Sequence, residues 1–245
     1  GKQFNPLVLY HQDFNELSGN LNNGYKEYGF WFEGAESGAT ATIKKGHLQL
    51  DAGHPDKAGM GTVWLDRKFD GNIRIEYDAH IVSSPNNHNN INTFFNYTDK
   101  TRAALYCTRS SRSDGAYKKY HGGTNANHNL RGYIITMGNN SSIDNVRYRM
   151  RNVPPFKHNE KDALLEHVDG VGSCNQGVTY HIIIEKRGNN IKYYSNNELI
   201  MDVRDANQDG SDNPVRNRGL FGFRTWRTNL WYDNLKITRL ENKKD

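Results

Sequence analysis

Residues 180–203 read YHIIIEKRGNNIKYYSNNELIMDV. Three runs rich in apolar residues, 180–186, 191–195 and 199–203, are divided by Arg187-Gly188-Asn189-Asn190 and Ser195-Asn196-Asn197-Glu198. Glycine and asparagine tolerate the positive backbone angles that tight hairpins need, so the stretch reads as an antiparallel meander. The same period-two pattern extends in both directions, marking strands at 7–10, 47–50, 61–65, 72–77, 91–97, 103–108, 133–137, 146–150, 219–225 and 230–240. Only 160–167 has a helical pattern, a turn or two long. A dozen or more short strands without an internal repeat argue against a propeller or a solenoid. They predict an all-β fold, a two-sheet antiparallel jelly-roll sandwich. No Pro/Ser/Gly-rich stretch or charge run divides the 245 residues, which makes 1–245 a single domain.

Charge and composition narrow the function. A formal net charge of +5 favours an anionic partner. No RNP-like, zinc-knuckle or helix-turn-helix pattern accompanies it, so nucleic acid is not the expected ligand. No run approaches the roughly 18 apolar residues of a membrane helix, so no membrane insertion is expected. The opening Gly1-Lys2-Gln3-Phe4 lacks an apolar signal core and reads as a terminus from which any export signal has been removed. Cys107 and Cys174 are either a disulfide, if the protein is exported, or isolated thiols. The chain is rich in Asn, Gly and Tyr, a composition that suits turns, polar strands and sugar contacts, and it is expected to act as a monomer.

Residues 146–151, Val-Arg-Tyr-Arg-Met-Arg, alternate apolar and cationic side chains. In an extended strand Arg147, Arg149 and Arg151 share a face, where they repel one another unless an anion sits opposite. The planar guanidinium fork matches carboxylate and sulfate or phosphate oxygens, so the strand reads as the floor of a site for an acidic ligand. The alternative is an edge strand kept soluble by its charge. In Tyr117-Lys118-Lys119-Tyr120-His121 the alternation sets Tyr117, Lys119 and His121 on one side, a set able to supply an acid and a base. A packed tyrosine and a structural histidine before Gly122-Gly123 are the competing reading. Asn92, Phe94 and Asn96 share a strand face, whose amides are expected to bind hydroxyls or a carboxylate or simply to face solvent. Arg224 sits in an apolar strand and is expected to point into a groove, since a buried unpaired guanidinium costs too much. Trp226, on the same parity, would stack on a sugar ring or pack in the core. Asp205-Ala206-Asn207-Gln208-Asp209-Gly210-Ser211-Asp212 places oxygen side chains as calcium loops do, making Asp205, Asn207, Asp209 and Asp212 candidate Ca2+ ligands. The twelfth loop position is Arg216 instead of a bidentate acid, which leaves an Asx-rich surface turn as the alternative.

Tyr10-His11-Gln12-Asp13-Phe14, Tyr117 to His121, the hairpin from Gly188 to Leu199, Gly219-Leu220-Phe221-Gly222-Phe223-Arg224-Thr225 and Tyr232-Asp233-Asn234-Leu235-Lys236-Ile237 resemble concanavalin-A-like jelly rolls of bacterial polysaccharide utilisation. The nearest likeness is to the YesU-like family and to jelly-roll polysaccharide lyases. The resemblance implies a curved pair of sheets whose concave face forms a glycan groove, and a secreted or periplasmic location. It also implies a calcium ion tying the N-terminal segment to the last strand, where Asp13 and Asp233 are the matching acids.

Retaining jelly-roll hydrolases carry a Glu-x-Asp-x-x-Glu strand motif that holds two carboxylates about 5 Å apart. This chain has no such motif, and its acids, as in Glu76-Tyr77-Asp78, are scattered. The expected activity is therefore β-elimination on an acidic, uronate-containing polysaccharide such as ulvan or glucuronan. Arg149, helped by Arg147 or Asn92, would neutralise the uronate carboxylate; His121 would take the proton and Tyr117 protonate the leaving oxygen, with Lys119 able to replace either. The Gln-x-His signature of jelly-roll alginate lyases is absent, which disfavours alginate. No organic cofactor is expected. The alternatives are a non-catalytic carbohydrate-binding module, or a glycoside hydrolase using carboxylates such as Glu76 and Asp78.

Overall fold

A computed structural model describes residues 6–22, 26–56, 59–99, 130–138, 142–148, 164–171, 173–205 and 217–241. Their regular structure is seventeen strands and two short 3-10 turns, with no α-helix among the described residues. In chain order the strands are β1 (Val8–Gln12), β2 (Gly19–Leu21), β3 (Lys26–Glu27), β4 (Phe30–Glu33), β5 (Thr40–Lys44), β6 (His47–Asp51), β7 (Met60–Asp70), β8 (Ile73–Ser83) and β9 (Asn90–Asp99). There follow β10 (Leu130–Gly138), β11 (Ser142–Tyr148), β12 (Leu164–Asp169), β13 (Thr179–Arg187), β14 (Asn190–Ser195), β15 (Glu198–Arg204), β16 (Arg218–Trp226) and β17 (Asn229–Arg239).

The strands form two antiparallel sheets. Sheet A runs β15-β14-β13-β8-β17-β6-β5-β2, with β1 also paired to β17, and sheet B runs β12-β11-β10-β9-β16-β7-β4-β3. Consecutive strands change sheet at β2 to β3, β4 to β5, β6 to β7, β7 to β8, β8 to β9, β12 to β13, β15 to β16 and β16 to β17. The expected jelly-roll sandwich is the observed architecture. The meander of residues 180–203 is β13-β14-β15, closed by two-residue loops between Arg187 and Asn190 and between Ser195 and Glu198. Gly188, Asn196 and Asn197 take the positive φ the loops require.

Alternation buries one face of each sheet against the other. Ile182, Ile184, Tyr77, Ile75, Leu230 and Tyr232 of sheet A meet Val63, Phe221, Phe223, Phe95, Tyr133 and Ile135 of sheet B in one apolar cluster. Tyr77 packs edge-on against Phe223 with ring centroids 5.1 Å apart. Cys174 is a free thiol in this cluster, pushed up to about 12 by burial; Cys107 lies outside the described residues.

One sequence expectation fails here. Residues 164–167, within the expected helical turn, are extended in β12, because pairing with β11 supplies backbone partners that a lone turn lacks. Asp205, expected to ligate calcium, is fully buried at the end of β15, where it accepts the Tyr133 hydroxyl at 2.6 Å. Its companions Asn207, Asp209 and Asp212 lie outside the described residues. Near Tyr133, the buried Lys186 donates to Gly188 O at 2.5 Å and Asn217 Oδ1 at 2.9 Å, and burial lowers its pKa to about 8.

Candidate functional site

Three of the side chains that sequence reasoning singled out, Asn92, Arg224 and Trp226, stand on the face of sheet B turned away from the core. Register lays out two rows across it. Trp31, Trp64, Gly222, Phe94 and Ile134 stand side by side on β4, β7, β16, β9 and β10. Two residues along the same strands come Glu33, Thr62, Arg224, Asn92 and Thr136. The first row is a floor of aromatic rings. Trp31 stacks on Trp64 at 6.2 Å, Trp64 lies 5.4 Å from Phe94, and Phe94 stacks on Tyr97 at 4.7 Å. Two glycines make room for it. A Cβ on Gly222 would meet the Trp64 ring at 2.8 Å, and one on Gly132 would meet the Tyr97 ring at 2.3 Å.

The second row carries the charge. Glu33, 1% exposed, accepts the Trp31 indole N–H at 3.3 Å. Arg224, 7% exposed, places its guanidinium carbon 5.8 Å from the Phe94 ring centroid and donates from Nη2 to Met60 Sδ at 2.6 Å. A low-dielectric setting strengthens whatever charged contact the guanidinium makes. Asn92 is 1% exposed; its Nδ2 donates to Asn90 Oδ1 at 3.1 Å while its own Oδ1 has no hydrogen-bond partner among the described residues. On the row of rings, Trp64 Nε1 is likewise buried without an acceptor. Unsatisfied buried groups are rare in folded proteins and call for an explanation, a ligand or an ordered water among them.

Thr136, at the end of the second row, is half-buried, as are Gly138 and Trp226 in the next row, where Asn90 and Met60 are buried. Trp226 has the Arg227 guanidinium carbon 4.8 Å from its ring centroid and the His88 ring at 5.0 Å, so its indole is framed by neighbours instead of lying flat as a platform. Asn90 ties this end together. Its Nδ2 donates to Trp226 O at 2.6 Å and His88 O at 2.9 Å, and its Oδ1 accepts the Trp226 backbone N–H at 3.0 Å.

Arg224, Asn92 and Trp226 thus share one outward face of sheet B, whereas Asn96 does not join them. It takes φ 54 at a bulge where the register with β10 and β16 shifts, and the slip delivers Tyr97 to the ring floor in its place. Arg147 stands opposite Tyr133, a core residue, whereas Val146 stands opposite Ile134, so its backbone position does not fall in the row of Asn92 and Arg224. His121, Tyr117, Lys119, Arg149 and Arg151 lie outside the described residues. Trp31, Trp64, Glu33, Tyr97 and Asn90 were missed. Phe30-Trp31-Phe32-Glu33 is buried at all four positions, and a strand covered on both faces shows no alternation to read.

The opposite side of the sandwich offers a different set. On β8, Glu76 lies 3.3 Å from Arg74 and Asp78 2.7 Å from His181 Nδ1, so the carboxylates of the hydrolase alternative are paired on sheet A. Burial, then Asp78 and Asp13, raise the pKa of Asp233, which brings Asp13 and Asp233 into one neighbourhood. Among the described residues no group of three His, Cys, Asp or Glu side chains is arranged to hold a metal ion, and no helix is long and apolar enough to cross a membrane.

A family model described as "Domain of unknown function (DUF6250)" matches residues 56–235. No curated protein matches the chain. Among solved structures it is similar to a protein of unknown function with galectin-like fold from Bacillus subtilis, at 15% identity over 95% of this chain and 96% of that one, with a TM-score of 0.68. The carbohydrate binding module CBM66 from Bacillus subtilis aligns at 13% identity over 86% of this chain and 95% of that one, TM-score 0.53. LamAcat from Zobellia galactanivorans aligns at 9% identity over 95% and 98% respectively, TM-score 0.54. At such identities the likeness is one of fold.

Proposed function

The chain belongs to the DUF6250 family, and from the geometry of sheet B we propose that it binds a polysaccharide on the face that carries Trp31, Trp64, Asn92 and Arg224. The observation that carries this reading is the conjunction of an aromatic floor with buried polar atoms that have no partner, Trp64 Nε1 and Asn92 Oδ1. Sugars present apolar ring faces and hydroxyls that both donate and accept, which is the chemistry such a floor lacks. Arg224 on the same face and the net charge of +5 favour an acidic glycan. The resemblance in fold to a carbohydrate binding module supports it.

Arg224 also favours a second reading, a polysaccharide lyase. A guanidinium beside a uronate carboxylate stabilises the charge that builds up when the neighbouring C–H proton is removed. In that reading the acid and base are the side chains expected from the sequence, Tyr117 and His121, and the protein works outside the cytoplasm. A panel of uronic and neutral polysaccharides tests both. Retardation by uronic chains in affinity electrophoresis, weakened in Trp64→Ala and Arg224→Met, supports binding; growth of ultraviolet absorbance from unsaturated uronate ends adds the lyase. Reducing ends without that absorbance would mean a hydrolase. Absence of retardation by every polysaccharide removes the proposal.

A further inference from the structure

We infer that the binding face contains a subsite at Asn92 that demands a hydroxyl donor from the ligand, a deepening that rests on the carbohydrate-binding reading above. The polarity of this subsite is fixed by the backbone. Asn90 Nδ2 faces two carbonyl oxygens, Trp226 O and His88 O, and its Oδ1 faces the Trp226 N–H. A flipped Asn90 would set its amide hydrogens against an N–H and its oxygen against two carbonyls, so only one orientation of the amide is satisfiable.

That choice propagates. Asn90 Oδ1, which already accepts the Trp226 N–H and the Thr225 hydroxyl at 3.0 and 3.1 Å, can face only a donor, and Asn92 turns its Nδ2 to it at 3.1 Å. Asn92 is therefore held with its Oδ1 turned away from Asn90, buried and without a partner. Thr136, in register with Asn92, and Gly138 and Trp226 in the next row are half-buried, so this is the less covered end of the row. Asn89 Oδ1, at the same end, is a second buried acceptor without a partner.

An amide oxygen accepts and cannot donate, so a carboxylate, sulfate or ester oxygen placed there is repelled. On this inference Asn92 Oδ1 takes no part in holding the carboxylate. The carboxylate belongs to Arg224, the next residue in the row, and Asn92 takes a free O–H of the same or the adjoining sugar. Asn90 is the positioning residue that sets this specificity. The substrate class is a uronic polysaccharide whose hydroxyl at this subsite is unsubstituted; O-acylation or O-sulfation there removes the donor and leaves two acceptors facing each other.

Polyglucuronate and the same polymer after O-acetylation are the probes, with binding to the wild-type chain measured by calorimetry. Acetylation keeps the carboxylates and removes the donors. The expected result is binding of the free polymer and about tenfold or weaker binding of the acetylated one. In Asn92→Ala the free polymer should weaken and the ratio between the two fall toward one. Equal binding of both polymers by the wild type overturns the donor subsite while the carbohydrate-binding reading survives. So does a full ratio retained by Asn92→Ala. If neither polymer binds, the acidic-glycan reading fails and this inference falls with it. The wild-type comparison decides the matter even if the variant does not fold.

Discussion

The two outward faces of the sandwich are built on opposite principles. On sheet A the side chains are charged, half-exposed and mostly paired along or between strands. Arg187 meets Glu185 at 2.6 Å, and His181 meets Asp78 at 2.7 Å. The buried nitrogens without a hydrogen bond there, Nε of Arg74 and Arg187, belong to guanidinium groups already beside a carboxylate. Trp231 has the His47 and His80 rings stacked against it at 5.0 Å and 4.9 Å, so its indole is occupied by its own chain. Sheet B instead buries an aromatic floor and, among the described residues, leaves Trp64 Nε1 and Asn92 Oδ1 without partners. A face whose polar groups answer one another keeps a sheet soluble. A face that pays desolvation without compensation is arranged for something else.

The strongest way to break this contrast is to delete one tryptophan from each face. Trp64→Ala, at a fully buried position, should cost about 3 to 5 kcal/mol of stability and abolish glycan retardation. Trp231→Ala, at a half-buried position, should cost about 1 kcal/mol and leave glycan binding unchanged. Calorimetric melting and affinity electrophoresis read the two effects, and loss of binding in the Trp231 variant alone would assign the ligand to sheet A.

Arginines provide the next pair. Arg224→Met should weaken binding of a uronic polysaccharide by about 1.5 to 3 kcal/mol, the usual worth of a charge-assisted contact. Arg74→Met removes a half-exposed surface pair and should move stability by under about 1 kcal/mol, with affinity unaltered. Equal loss of affinity in both variants would show long-range attraction to net charge in place of a site.

Between the faces, Lys186 separates buried charge from surface charge. Burial depresses its pKa from 10.5 to about 8, so the unfolded chain holds this proton at pH values where the folded chain has released it. Its contribution to stability therefore grows as pH rises from 8 toward 10.5 and is absent below 8. Lys186→Met should be more stable than the wild type at neutral pH, and that advantage should shrink by about 2 kcal/mol by pH 10 in paired denaturation curves. A constant difference across the range would mean that the amine stays charged in the fold.

The smallest expected effect lies on sheet A. Burial, then Lys44, lowers the pKa of His47, which makes the folded state the weaker proton acceptor. Stability is full above the ordinary imidazole value and declines as pH falls through the lowered one, so His47→Gln should melt less sensitively between pH 7 and 5, by under about 1 kcal/mol. Unchanged acid sensitivity would remove His47 from the account.

The alternation of residues 180–203 and the Gly188 and Asn196-Asn197 turns sufficed for the sheet architecture, because hairpin geometry and burial of one strand face are local properties. The outward placement of Arg224, Asn92 and Trp226 was legible for the same reason: each is a polar or amphipathic residue on one parity of a legible strand. What was lost was non-local. The bulge at Asn96 inverts the parity of every later residue of β9, and it exists because the neighbouring strands accept the extra residue, which no pattern within residues 91–97 reveals. Residues 164–167 carry a helical pattern and are extended because β11 offers an edge. Trp31 lies opposite Trp64 across strands more than thirty residues apart in sequence. The polarity of Asn92 is decided by the backbone of Trp226 through Asn90, a hydrogen bond spanning 136 residues. Sequence alone set which residues alternate and where the chain turns, since those follow from steric preference and hydrophobicity one strand at a time. Which face each strand shows to its neighbours, and which atom of an amide is left facing outward, required the assembled sheets, because hydrogen-bond partners and ring contacts are chosen only among groups the fold has brought together.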